Sequence, residues 1–328
     1  MQEFIMMIGL PGSGKDTYIN NFDKNQYVVI SSDQIRKDLN YKAGEVKDVF
    51  DICREQIRYH LTLGKNIIFN ATNINRKHRM NLLDYLHGTF NNISYSAYVV
   101  TTPIKVCKER NSKREGFDKV PEEVIDKMLR AFQIPMEKEG FDFIGYVMPG
   151  FQEYCEKDSL QLKPQYQSID FNALDNFDQE NIHHSLTLGQ HMAKAQDYVE
   201  QHLDDLYLKK TGYQAEVLKM AAYYHDIGKV LTKDYHDSRG NKTEHAHYYG
   251  HENAGAYFML SEGYFLWGPE YGNDFIIKVA TFINFHMRVG YTWKQYPEGK
   301  CAKREKKLFS DLDLKYLELL READNYAH

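Results

Sequence analysis

Gly9-Leu10-Pro11-Gly12-Ser13-Gly14-Lys15-Asp16-Thr17 sets three glycines, a lysine and two hydroxyls at a spacing suited to holding phosphate. Glycines let successive backbone N–H groups turn inward around phosphate oxygens, and the positive end of a following helix strengthens that field. A lysine at the end of such a loop reaches the β- and γ-phosphates. Gly12, Ser13, Gly14, Lys15, Asp16 and Thr17 are therefore the expected nucleotide-binding residues. Ser or Thr usually follows the lysine as a Mg²⁺ ligand. Here Asp16 takes that slot, so Thr17 is expected to support Mg²⁺ or a phosphate, with Asp16 acting on the metal through water as the alternative.

Three further groupings extend the chemistry. In Ser32-Asp33-Gln34-Ile35-Arg36 a carboxylate stands one helical turn before a guanidinium. Asp33 there is placed to accept the proton of an attacking hydroxyl and Arg36 to hold a substrate phosphate. Taken alone, Asp33 has a second reading, as the N-cap of the next helix. Ile67-Ile68-Phe69-Asn70-Ala71-Thr72-Asn73 is a strand ending in polar residues, trailed by Arg76 and Arg79. Arg110 and Arg114, four apart, share one helical face, which suits a lid that neutralises charge on a transferring phosphoryl group, although a solvated basic face has the same pattern.

Downstream the chemistry changes. Eleven of the 14 histidines follow residue 150, and His225-Asp226-Ile227-Gly228-Lys229 is their most distinctive setting. Around it stand His183-His184 with His191, Gly250-His251-Glu252, Phe285-His286 and Ala323-Asp324. Imidazole and carboxylate together suit divalent transition metals, and open coordination positions suit a hydroxide and a phosphate oxygen. His183, His191, His245 and His247 read as surface or outer residues rather than ligands.

These residues need rigid elements to carry them. Short apolar runs at Phe4–Gly9, Tyr27–Ser31, Asn66–Asn70 and Ser94–Val100 alternate with helix-compatible stretches Lys15–Phe22, Val46–Leu63, Arg76–Leu86 and Pro103–Arg114. That alternation predicts a parallel α/β layer. Beyond about residue 180, Ile182–Leu206, Gln214–Lys229, Glu252–Ser261, Asp274–Phe285 and Leu312–Tyr326 show helical spacing of apolar residues. The expected division is residues 1–150, a polar linker over 151–178, and a helical domain over 179–328.

Composition bounds the rest. The 328 residues are 42% hydrophobic and 27% charged, enough for two cores. Net charge is −5, with 21 basic against 19 acidic residues in the first 150 and 20 against 27 in the remainder, which is not the footprint of a duplex-DNA binder. Four scattered cysteines and the lack of a membrane-length apolar run or a signal-peptide pattern suggest a reduced, cytoplasmic setting with no membrane partner.

GLPGSGKDT, SSDQIR, FNATN and ERNSKR followed by Val120-Pro121-Glu122-Glu123 resemble the 5′-hydroxyl polynucleotide kinase family. The resemblance implies ATP and Mg²⁺ at Lys15 and Thr17, Asp33 as general base, Arg36 on the acceptor phosphate, and Arg110 with Arg114 as lid arginines. Asp16 after the lysine and Asn70, where relatives often carry Asp, depart from that pattern. HHSL…H, HDIGK and GHE resemble the HD phosphohydrolases, especially the modules of some tRNA nucleotidyltransferases. This second resemblance implies a first metal on His184, His225, Asp226 and Asp324. It also implies that His251 and His286 complete a second site or touch phosphate, with Lys229 offsetting phosphate charge and Mn²⁺, Ni²⁺, Co²⁺ or Zn²⁺ as the metal. The expected fold is thus multidomain, an N-terminal α/β P-loop kinase with parallel sheet and helical lid joined to a C-terminal all-α HD bundle. The pairing resembles bacterial and phage bifunctional repair enzymes that phosphorylate 5′-OH ends and clear a 3′-phosphate, 2′-phosphate or 2′,3′-cyclic phosphate from RNA or DNA. A nucleoside kinase fused to a nucleotidase and a nucleotide-sensing regulator stay open as alternatives, as does a homodimer.

Overall fold

The computed structural model describes residues 1–40, 49–154, 161–181, 185–206, 208 and 211–328. The chain divides into two compact units, Met1–Leu129 with Pro135–Lys157, and Arg130–Ile134 with Asp158–His328.

The first unit is built on five parallel strands, β1 (Gln2–Ile8), β2 (Tyr27–Ser31), β3 (Asn66–Asn70), β4 (Ile93–Val100) and β5 (Phe143–Val147), in the order β2-β3-β1-β4-β5. β1 lies at the centre, and its Phe4–Ile8 run is buried throughout, the unbroken apolar pattern of a strand covered on both faces. Helices α1 (Lys15–Ile19), α2 (Ser32–Asp38), α3 (Val49–Thr62), α4 (Arg76–Thr89), α5 (Ile104–Ser112), α6 (Glu122–Arg130) and α7 (Phe151–Tyr154) connect and flank the strands. Ile5, Met7, Ile19, Ile68 and Val100 form one core cluster, roofed by Tyr18, Phe22, Tyr27 and Tyr98. Register sets the site. Met7 and Ser31 both pair with Asn70, so the carboxyl ends of β1, β2 and β3 finish level. α/β sheets bind ligands at that edge.

The second unit is mostly helical: α8 (Leu188–His202), α9 (Tyr213–Tyr224), α10 (Lys229–Thr232), α11 (His251–Phe258), α12 (Tyr264–Tyr271), α13 (Asn273–Met287), α14 (Trp293–Gln295), α15 (Lys300–Lys306) and α16 (Asp311–Tyr326). The expectation of an all-helical bundle needs one correction. β6 (Asp234–His236) and β7 (Lys242–His247) form an antiparallel hairpin, closed by polar turn residues Asp237–Asn241 that carry no helical pattern. Ile169 and Leu174, inside the stretch expected to be linker, are buried with Leu188, Met192, Ile227 and Phe258 in this unit's core. α8 begins at Leu188, where Thr187 and Gln190 form a reciprocal capping box, later than the Ile182 start expected from spacing. Among the described residues no helix is long and apolar enough to cross a membrane.

Candidate functional sites

In the first unit the glycine-rich turn leaves the end of β1 and closes on α1. Gly12 has φ 78°, and a Cβ there would collide with the carbonyl oxygen of Cys107, so the loop tolerates only glycine at this position. Thr102 Oγ1 donates to the Ser13 carbonyl at 2.7 Å, fixing the loop from the end of β4. Ser13 Oγ is buried with no hydrogen-bond partner among the described residues. An unsatisfied hydroxyl inside a glycine cradle fits a phosphate-binding loop. The Lys15 ammonium donates to the carbonyls of Gly9 and Leu10, both at 3.0 Å. Burial pulls its pKa below the usual lysine range against the opposing pull of Asp16 and Asp33.

A cleft of about 220 Å³ opens above this loop, lined by Gly12, Gly14, Lys15, Asp16, Asp33, Arg36, Asn70 and Arg114 among others. Asp33 is no helix cap. The cap of α2 is Ser31, whose hydroxyl accepts from the Gln34 N–H at 3.3 Å. That leaves the Asp33 side chain 75% exposed, with Oδ1 2.6 Å from an Arg36 guanidinium nitrogen. Thr17 is exposed on α1 and lies outside the residues that line the cleft. Arg110 stands against Gly14, over the ring of Tyr154 at 5.3 Å and 3.6 Å from Glu153. Arg76 and Arg79 instead meet the buried Glu139, with Arg79 at 2.8 Å and Arg76 at 3.3 Å.

In the second unit, His191, His225, Asp226 and Asp324 each present one donor atom, all within 4.8 Å of one another, and Asp226, His251 and His286 do the same. Asp226 joins the two groups. Its Oδ2 lies 3.2 Å from His191 and 3.4 Å from His225, and its Oδ1 lies 3.0 Å from His251 and 3.8 Å from His286. His225 and Asp226 follow α9, His251 opens α11, His286 ends α13 and Asp324 belongs to α16.

Each imidazole is oriented in the same way. Nδ1 of His225, His251, His286 and His191 sits 2.7, 2.9, 2.7 and 3.2 Å from the carbonyls of Ala222, Tyr248, Ile283 and Ala327. A backbone carbonyl accepts from Nδ1–H and leaves the Nε2 lone pair for a metal. Burial pushes the His225 imidazole down, but Asp226 and Asp324 outweigh it and raise the pKa to about 10. Burial likewise opposes the ionised forms of Asp226 and Asp324, yet their cationic neighbours, led by Lys229 and His225 at Asp226 and by His191 and His225 at Asp324, hold both well below the usual carboxylate range. Burial and the charges of His225 and His251 drop His286 to about 3. Four buried imidazoles sharing two carboxylates fit divalent metal in donor type and number.

His191 corrects the reading of it as a surface or outer residue, since it is fully buried with its Nε2 inside the first donor group. The signal was present. His191 shares the apolar face of α8 with Leu188, Ala195 and Val199. His183 and His184 lie outside the described residues. Lys229 is buried, 2.7 Å from both Asp226 Oδ2 and Gln179 Oε1, so it braces the bridging carboxylate. Gln179 and Arg321, whose guanidinium sits 2.6 Å from Asp324 Oδ2, carried no sequence signal.

Residues 4–135 match the family model of an AAA domain and residues 181–327 that of an HD domain. The chain joins a P-loop kinase-type domain to an HD domain. It is 28% identical over 150 residues to a putative bifunctional polynucleotide phosphatase/kinase of Acanthamoeba polyphaga mimivirus, covering 44% of this chain and 32% of the viral one. It is 27% identical over 150 residues to the transcription factor bHLH140 of Arabidopsis thaliana, covering 44% and 16% respectively. The chain thus spans a third or less of these curated relatives. Among solved structures, the Pnkp1/Rnl/Hen1 RNA repair complex aligns with TM-score 0.34 and 22% identity over 48% of this chain and 52% of that one. A gluconokinase from Sinorhizobium meliloti aligns with TM-score 0.32 and 16% identity over 44% and 81%.

Proposed function

We propose that this protein heals broken nucleic-acid ends, phosphorylating a 5′-OH with its P-loop half and removing a 3′-phosphate, 2′-phosphate or 2′,3′-cyclic phosphate with its HD half. The observation that carries the reading is the position of Asp33, uncapped and ionisable, in the same cleft as Lys15 and Arg36. A carboxylate there takes the proton of the terminal hydroxyl as that oxygen attacks the γ-phosphorus of ATP, and the bond to the β-phosphate oxygen breaks to release ADP. Lys15, the loop amides and Arg114 hold the phosphates, Arg36 holds the acceptor's own phosphate, and Asp16, which lines the cleft where Thr17 does not, is the candidate for supporting Mg²⁺.

In the HD half, His191, His225, Asp226 and Asp324 would hold one divalent ion, and Asp226, His251 and His286 a second. Metal bound there supplies Lewis-acid charge and a water of lowered pKa. The chain itself contributes the Nδ1-anchored imidazoles that fix donor direction and the Lys229–Gln179 contact that holds Asp226 between the two groups. The name of the viral relative favours a polynucleotide substrate.

The test is one incubation of the protein with ATP, a metal panel and an oligonucleotide bearing 5′-OH and 3′-phosphate ends, both ends being read by mass. Gain of a 5′-phosphate together with loss of the 3′-phosphate is expected. Phosphorylation of free nucleosides alone would overturn the assignment.

A further inference from the structure

Arg288–Lys307 holds seven basic residues and only two acidic ones, in a half of the chain that is otherwise acidic, and it interleaves them with Tyr291, Trp293 and Tyr296. It starts two residues after His286. Its first turn, Arg288–Thr292, is a π-helical continuation of α13. In that turn a Cβ on Gly290 would collide with the guanidinium of Arg321, the same group that contacts Asp324 Oδ2 at 2.6 Å. The segment therefore leads directly away from the metal cluster.

Its side chains divide into scaffold and surface. Trp293 is buried, donates from Nε1 to Glu305 Oε2 at 3.0 Å and lies 5.8 Å beneath the Lys306 ammonium, which ties α14 to α15. Tyr291 and Tyr296, in contrast, are 63% and 66% exposed. Lys294, Lys300 and Lys307 are exposed as well, and among the described residues none of them makes an ion pair. Exposed aromatic rings interleaved with uncompensated cations match the two needs of a flexible polyanion with stackable bases.

We propose that Arg288–Lys307 is a track for single-stranded nucleic acid that delivers a strand end to the HD metal cluster. The track rests on reading that cluster as a nucleic-acid phosphohydrolase. Bases stack on Tyr291 and Tyr296, and Lys294, Lys300 and Lys307 meet backbone phosphates. A mononucleotide is too short to use it, so the track favours long substrates over short ones at the same metal site.

Fluorescence anisotropy of a labelled single-stranded 12-mer ending in a 2′,3′-cyclic phosphate tests this on the full chain. Each lost stacking platform costs roughly tenfold in affinity, so Tyr291→Ala/Tyr296→Ala should bind about a hundredfold more weakly, and the Tyr→Phe pair should bind as the native chain does. Lys294→Glu/Lys300→Glu should flatten the slope of log affinity against log salt by about 1.4. KM for the oligonucleotide should rise while kcat, and hydrolysis of a 2′,3′-cyclic mononucleotide, stay level. Unchanged binding in both variants of a chain that hydrolyses the 12-mer overturns the track and leaves the end-healing assignment standing. Weakened binding in variants of a chain that hydrolyses neither substrate supports the track and removes the phosphohydrolase reading. A native chain that binds anionic vesicles but no oligonucleotide overturns the track.

Discussion

Asn70 Nδ2 donates to Asp16 Oδ1 at 2.7 Å, so the two positions that depart from the polynucleotide-kinase pattern touch each other at the mouth of the phosphate loop. An amide opposite Asp16 leaves one carboxylate in this pair, where Asp at both positions would leave two. The pair reads as an exchange, the acid moving from the end of β3 to the start of α1. Asp16→Asn should therefore raise the Mg²⁺ concentration needed for half-maximal kinase activity at least tenfold, with little change in KM for ATP. Titrating Mg²⁺ at saturating ATP checks this, and an unchanged Mg²⁺ requirement removes Asp16 from the metal's surroundings.

Among the described residues the ion pair of Asp33 is with Arg36, in the first unit, so its loss should be confined to one chemistry. Asp33→Asn should lower 5′-phosphorylation by about 10²–10⁴-fold, the usual worth of a positioned base, and leave the HD phosphatase unchanged. Asp226→Asn should do the reverse. Loss of both activities in a folded single variant would show that the two centres are not independent.

Local signals were the legible ones. Tyr27–Ser31 and Asn66–Asn70 are strands over the expected residues, because each is a short apolar run rich in Val and Ile and bounded by polar residues. β5 was not read because Phe143–Val147 is a half-exposed edge strand interrupted by Gly145, with no run long enough to stand out. The cores of both sites were legible too, since the loop glycines, Asp33, His225 and Asp226 sit in short contiguous phrases. His191 was misread because its place on the apolar face of α8 shows burial alone, and its partners, Asp324 of α16 and Ala327 just past that helix, reach it only after folding.

His191 gives a direct test of the ligand set. His191→Ala should lose bound metal as fully as His225→Ala, measured as metal per chain after dialysis. His184→Ala is the control that separates the two assignments. If His184→Ala strips the metal while His191→Ala keeps it, the donor group built around His191 is wrong.

Glu139 and Arg79 are both fully buried and joined by two 2.8 Å contacts, and Arg79 also donates to the Asn73 carbonyl at 3.0 Å. Removing one partner of a buried pair strands the other charge in a medium that cannot solvate it. Glu139→Ala should therefore destabilise the first unit by about 3–5 kcal/mol, seen by calorimetry as a lower transition temperature for that unit. A shift equivalent to less than about 1 kcal/mol would mean that water reaches the guanidinium.

Lys278 Nζ and Asp313 Oδ1, 2.6 Å apart, join the two helices that carry His286 and Asp324. Burial pushes the Asp313 carboxyl up, but hydrogen bonds from Lys278 and Ser310 outweigh it and lower its pKa below the usual aspartate value. A carboxyl with a lower pKa folded than unfolded binds protons more weakly in the native state. Its contribution is complete above the unfolded value of about 3.9 and drains as pH falls through the lowered native one. The lysine is 32% exposed, so screening keeps the contribution to about 1–2 kcal/mol. Asp313→Asn should accordingly be less stable by that amount at pH 7 and pH 5, and the gap should narrow as pH falls below about 3.9, as read from denaturant midpoints. A difference that persists undiminished at pH 2 would assign the effect to the capping of α16 by Ser310 rather than to the charge on Asp313.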